Sequence, residues 1–330
     1  MRRIMHICIA VLVLVSMESG IRAQEKTAPE NLSIIKFEFF DVNVIKELPE
    51  TFLIKSPGTP ETFPQIDAEK LYKSLYSLKQ QGILDVTQAE VFAEEGKTGV
   101  LDTRKNIPGT NEKEGLYIEV TPEIRKDGKI RCQIDISITK FVEFKKIKIE
   151  GQEEKTVPIT SSREHCTGME LTDEKPAIIA QGGMIGSPGM ISAESVPKMF
   201  TMVKATRYFK PKASIEFRLV KNSPEAGFTQ TDIPHSDEKI YVADKSEMDN
   251  SDIKGVKSGL SHQGFEQLEI VFTEEGKKKF AALTEKLIGQ RLAILVDGQV
   301  VSAPVVREKI TGGTVHITGR KETIPKILGK

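Results

Sequence analysis

Tryptophan is absent from the 330 residues, and aromatic residues make up only 6%. That scarcity argues against sites that stack bases or sugar rings on aromatic faces. Three cysteines are too few for a disulfide-dense scaffold. Neither sign of charge is in excess, since 47 Lys+Arg face 47 Asp+Glu. A general nucleic-acid binder needs surplus Lys and Arg to neutralise phosphates, so that class is excluded. Past the N-terminus no apolar run approaches the roughly 18 residues of a membrane-spanning helix. Signatures of catalysis are missing as well: there is no G-x-S-x-G, no H-E-x-x-H and no paired C-x-x-C.

The N-terminus stands apart from the rest. Arg2 and Arg3 precede a nearly continuous apolar run from Ile4 to Met17, and Ala23 offers a small residue before a polar stretch. Basic start, apolar middle and small-residue site together read as a secretory signal peptide over residues 1–23, cleaved near Ala23. The remainder carries 44 basic and 46 acidic residues, a net charge of −2. A periplasmic or secreted protein of the bacterial envelope is expected. Outside the cytoplasm a Cys132–Cys166 disulfide is chemically allowed. In IRCQIDISI, however, Cys132 shares a face with Ile130, Ile134, Ile136 and Ile138, while Cys166 sits with Glu164 and Glu170. Those faces disagree unless a bulge intervenes, and the pair stands as a candidate bridge on that condition.

Periodicity sets out the organisation. KFEFFDVNVI reads as a strand, followed by a Pro/Thr-rich link, so residues 24–65 form an N-terminal strand and linker. Leu71, Leu75 and Leu78 predict a helix capped by Asp67 and ended by Gly82. From there to about Pro211 the pattern is β, with hairpins turning at Glu95-Gly96 and Asp127-Gly128. Gly182 to Ser195 is a Gly/Ser/Pro loop. A second unit starts at Ala213 with IEFRLV; in it TEEGKKKFAALTEKLIG predicts a helix with Thr273 as N-cap and Gly289 past its end. Asp297-Gly298 turns another hairpin, and the polar stretches Lys221–Lys239 and Lys257–Gly264 are expected to be adaptable loop surfaces.

Candidate chemistry is sparse. His165, His235, His262 and His316 are scattered without metal-ligand spacing. His165 lies on an apolar strand face with Met169 and Leu171, the setting of a packed histidine. His235 in PHSDE reads as a solvated turn. Gly183-x-x-Gly186 lacks the Lys-Ser/Thr of a phosphate loop. Glu274 and Glu275 suit the positive end of a helix, and Lys277 to Lys279 a solvated helix face. No catalytic residue, metal ligand or cofactor is expected.

Two resemblances follow from these landmarks. IEFRLV, the helix running into IGQRLA, the LVDGQVVSAPV hairpin and the ITGG turn occur in order, and Ala213 to Gly319 resembles the first periplasmic head domain of SecD/SecDF. The motif positions are Phe272, Gly289, Arg291, Asp297, Gly298, Ser302, Ala303, Pro304, Gly312 and Gly313. The resemblance implies contact with unfolded or exported polypeptide or with a cell-envelope protein; the family's membrane-embedded, proton-driven pulling is not expected to carry over. The helix and paired strands ending in NIP, the hairpin GLYIEVTPEIRKDGKIRCQIDISI, the strand TSSREHCTGMEL and the closing VKATRYFKP resemble the C-terminal domain of bacterial type II/III secretins. The fold expected is therefore α+β: a β-rich secretin-like domain over residues 66–211, a SecD-head-like domain over 213–319, and a tail over 320–330. A non-enzymatic export-context binding protein is expected, with a component of an oligomeric outer-membrane assembly as the alternative.

Overall fold

In the computed structural model the described residues are 33–54, 65–147, 155–180, 199–232, 238–260, 266–318 and Ile327. The expected signal peptide, the Gly182–Ser195 loop, His235 and His262 lie outside them, as does nearly all of the tail. Among the described residues strands dominate and there are two α-helices.

The chain begins with β1 (Ser33–Val44), followed by the short strands β2 (Leu53–Ile54) and β3 (Gln65–Ile66), which pair with each other. Next come α1 (Ala68–Gln80) and β4 (Leu84–Glu94). Strand β1 places apolar residues on both faces because both are covered. Its odd row, Ile35, Phe37 and Phe39, enters one core; Phe40 and Val42 of the even row enter another with Leu71, Leu75 and Leu78 of α1. Asp67 caps the helix by accepting the Lys70 amide at 2.9 Å, and Gly82 follows its end at φ +64°.

A second sheet is built from β5 (Gly99–Asp102), β6 (Lys105–Asn106), β7 (Lys113–Ile124), β8 (Ile130–Ile147) and β9 (Lys155–Leu171). Strands β5, β7, β8 and β9 lie side by side in that order, with β6 on the end of β7. Gly128 takes φ +82° in the β7–β8 turn, the conformation the Asp-Gly pair predicts. Val120 of β7 and Ile130, Ile134 and Ile136 of β8 pack against the odd row of β1. The two sheets therefore face each other as a sandwich. Strand β7 ends opposite Thr139, so β8 and β9 continue beyond it as a two-stranded ribbon with a bulge between Phe141 and Glu143.

The rest of the chain joins both an old sheet and a new one. Strands β10 (Pro176–Ala180) and β11 (Met199–Phe209) complete the β1 layer. Strands β12 (Ile215–Lys221), β13 (Phe228–Asp232) and β14 (Lys239–Ala243) open a separate sheet. Then β15 (Ile253–Leu260) and β16 (Glu266–Phe272) return to the β1 layer, α2 (Glu274–Lys286) follows, and β17 (Leu292–Val296) and β18 (Gln299–Ser302) pair beside β12. Strand β19 (Thr314–Thr318) closes on β16. The seven-stranded sheet thus draws strands from both sides of Pro211, joined where Phe209 of β11 meets Val256 of β15.

Two expectations need correction. Lys221–Lys239 is not loop throughout, because Phe228–Asp232 pairs with β14 over its full length. Its Phe and Thr residues suit a pleated surface, but their strand character is diluted by charged neighbours. Lys257–Leu260 likewise belongs to β15, whose Gly255 and Gly259 weaken the strand pattern in the sequence.

Candidate functional site

The outward end of the sandwich carries its most distinctive chemistry. On β1 the apolar row Ile35, Phe37, Phe39 continues with Asp41, which is only 7% exposed. Asp41 is flanked in register by Thr87 of β4 and Thr201 of β11. A charge on an inward row requires a partner. Arg163 of the facing sheet supplies it, its Nη2 donating to Asp41 Oδ2 at 2.6 Å with both side chains largely buried. Asp41 Oδ1 accepts no hydrogen bond from any described residue. Leaving such an oxygen unmet costs about 1–3 kcal/mol.

Beside Asp41 the two sheets border an open cleft of about 230 Å³. Phe39, Ala89, Leu116, Ile136 and Ile138 supply apolar lining, and Asp41, Thr87, Thr103, Thr139 and Thr201 polar lining. Lys140 stands at the rim, exposed. His165, opposite Ile136 in register, is half-buried next to the pair. Burial and the Arg163 guanidinium hold its imidazole below the ordinary value, with Asp41 pulling the other way. Among the described residues no three His, Cys, Asp or Glu side chains gather as a metal site.

Sequence reading placed His165 correctly on an inward face but missed Asp41 and Arg163, which lie 122 residues apart. The available clue was an aspartate falling on the Phe37–Phe39 row. The candidate Cys132–Cys166 bridge is absent, and both thiols are free. Cys132 is buried toward the core and Cys166 is exposed on the other face; the bulge that would have realigned them lies farther along, at Phe141. Burial pushes the Cys132 thiol up to about 12. His316 is exposed on β19.

The ten motif positions cluster around α2 and the β17–β18 hairpin. Phe272 is buried with Phe217 and Phe280, ring centroids 4.7–5.7 Å apart. Thr273 caps α2 by accepting the Gly276 amide at 3.0 Å. Gly289, at φ +81°, donates its amide to the Val306 carbonyl at 2.8 Å. Arg291 donates to the Ala303 carbonyl at 2.8 Å and pairs with Glu238 at 2.9 Å. Asp297 and Gly298 form the hairpin turn at positive φ, and Asp297 accepts the Ser214 amide at 2.9 Å. Ser302 ends β18, Ala303 is buried, and the Pro304 carbonyl accepts the Leu292 amide at 3.0 Å. Gly312 is exposed, and the Gly313 carbonyl accepts the Phe272 amide at 3.0 Å. These residues tie loops to the core of the C-terminal part, and none of them lines the cleft.

Comparison with known proteins places the C-terminal part. Residues 227–324 match the family model of the SecDF P1 head subdomain. A 71-residue stretch is 45% identical to protein translocase subunit SecD of Acidaminococcus fermentans, covering 22% of this chain and 17% of that protein. The chain therefore spans a minor share of that relative's length. A solved structure described as SecDF, a membrane component that enhances protein export, aligns at 24% identity and TM-score 0.29 over 47% of this chain and 76% of the other. The pilotin–secretin complex AspS–GspD from ETEC aligns at 9% identity and TM-score 0.27, over 54% of this chain and 48% of the other. In residues 227–324, then, this chain resembles the SecDF P1 head subdomain.

Proposed function

We propose that the chain is an exported, non-enzymatic protein of the bacterial envelope that binds extended polypeptide in a protein-export context, by adding it as a strand to the outer edge of β9. In this reading a secretin-like β-rich domain precedes a SecDF-head-like domain from about Ala213. The head match supports the export context. The observation that carries the binding mode is β9 itself: a 17-residue strand at the outer position of its sheet among the described residues. Its outward face carries Ser162, Glu164 and Cys166, all exposed, and β8 is its partner among the described strands. An unpaired edge of that length offers a row of backbone donors and acceptors to any extended chain, independent of its sequence. Each added hydrogen bond nets about 0.5–1.5 kcal/mol, against about 1–2 kcal/mol to order each residue. Backbone pairing alone therefore about breaks even, side-chain contacts must add to it, and binding is expected to be weak and transient.

The test is a titration of the full chain with reduced, carboxymethylated lactalbumin, which stays unfolded, with folded lactalbumin as control. Selective binding of the unfolded form is expected. Binding of neither, or of both equally, overturns the reading.

A second reading, an oligomeric outer-membrane assembly, draws on the ribbon formed by β8 and β9. Val142, Phe144 and Ile147 are exposed there, and the Phe141 and Phe144 rings lie 4.9 Å apart, tilted against each other. Exposed apolar clusters of this kind mark interaction surfaces. Size-exclusion of detergent-extracted membranes decides it: a stable ring supports the assembly, and a monomer in the soluble fraction removes it.

A further inference from the structure

Backbone pairing at the outer edge of β9 leaves the choice of polypeptide to side chains. Resting on the strand-edge reading above, we propose that this edge selects an extended chain, added antiparallel, in which an aromatic residue is followed four positions later by lysine or arginine. Gly168 takes the aromatic residue and Glu164 takes the base. Both lie on the outward face of β9, because side chains alternate along a strand. The sheet is antiparallel throughout, and an antiparallel neighbour meets Gly168 before Glu164, which fixes the order.

The first observation is that Gly168 is not required by the chain's own packing. Its backbone is outside the positive-φ region, and a Cβ there would meet only Gln133 Oε1, at 3.4 Å. A glycine inside a strand weakens it, and it marks a place where another group can come close. Gln133 leans across beside it, its Nε2 donating to Cys166 Sγ at 3.1 Å. Gly168 and Gln133, with Thr121, Arg131 and Glu170, border an open depression of about 660 Å³. An aromatic side chain on a neighbouring strand covers a bare glycine. The exposed Arg131 offers such a ring a cation–π partner.

The second observation is charge. Glu164 is exposed and forms no ion pair among the described residues. Its cross-strand neighbour on β8 is Ser137, and the diagonal neighbour Asp135 is another acid. Beyond Ser137 lies Tyr117 with Arg104 over its ring, but Arg104 is already paired with Asp102 at 2.7 Å. A base on the added strand therefore meets uncompensated negative charge at Glu164, and an acid there would be repelled.

The probes are short capped Ser/Thr peptides carrying Phe-x-x-x-Lys, the reverse Lys-x-x-x-Phe, Phe alone or Lys alone, each titrated into the full chain. Unfolded lactalbumin is titrated in parallel, with amide exchange of β9 followed. The Phe-x-x-x-Lys peptide is expected to bind roughly fivefold more tightly than the other three. Glu164→Gln is expected to erase the advantage due to Lys and keep that due to Phe; Gly168→Val is expected to do the reverse. Glu164→Gln alters an exposed side chain, so it decides the question even where Gly168→Val disturbs the strand. The proposal is overturned if the peptides bind equally or not at all, or if the reverse order binds better, while lactalbumin still protects β9; the strand-edge reading then stands without it. Failure of unfolded lactalbumin to bind removes both.

Discussion

Asp41 and Arg163 show how one buried charge binds two distant parts of the chain to a common geometry. Removing only the base strands a carboxylate among Phe39, Thr87 and Thr201. Arg163→Met is expected to cost about 3–5 kcal/mol in chemical denaturation, and Asp41→Leu/Arg163→Met markedly less than that. His165 sets an acid limit beside them. Its folded-state imidazole binds a proton less readily than the unfolded chain, whose ordinary value is 6.5. Unfolding therefore takes up a proton below that value, so this contribution is present above pH 6.5 and is lost as pH falls through the lower folded value. Denaturation curves across that window should flatten in His165→Gln. Gly276 makes a steric demand of its own: a Cβ there would lie 2.2 Å from the Asp252 carbonyl oxygen. Gly276→Ala is expected to destabilise by about 1–3 kcal/mol despite its better helix propensity. None of these three roles rests on a recognisable motif. Only the inward face of His165 was legible, because strand alternation alone gives a face but not what lies across it.

Elements were legible where local chemistry decides them. Asp67 and Thr273 cap helices that begin at the next residue, and the Asp-Gly pairs turn hairpins, because caps and positive-φ turns are set by neighbours in sequence. Strands β13 and β15 were hidden because pairing, rather than propensity, makes them strands. The β8–β9 ribbon was legible along most of β8 but not over the first residues of β9, for the same reason. Its outer half is paired on one side and has little core, so it should open more readily than the rest. Amide exchange of Phe141–Ile147 is expected to be much faster than that of Ile130–Ile138 on the same strand. Equal protection would mean that the ribbon is covered in solution.

Across the whole molecule, the seven-stranded sheet is held together at the β11–β15 junction by few contacts. Phe209 pairs with Val256, the Tyr208 hydroxyl donates to Glu269 at 2.7 Å, and Lys257 pairs with Glu174. Gly255 leaves room for Tyr208, whose Cβ lies 2.8 Å from where a Gly255 Cβ would stand. Burial and the Glu269 bond push the Tyr208 phenol well above its ordinary range. Tyr208→Phe is expected to cost about 1.5–3 kcal/mol, measured by denaturation, since it deprives a carboxylate of a donor. The head motifs made the C-terminal part recognisable in sequence; its sharing of a sheet with the earlier strands depends on pairings between residues far apart, which no local pattern encodes.

Extended polypeptide is proposed to add to the edge of β9. Hydrogen–deuterium exchange of the full chain, with and without saturating reduced carboxymethylated lactalbumin, tests it most directly. New protection is expected to concentrate in Lys155–Leu171, because an added strand engages the outer-edge amides of β9. Binding that leaves β9 exchange unchanged would contradict it.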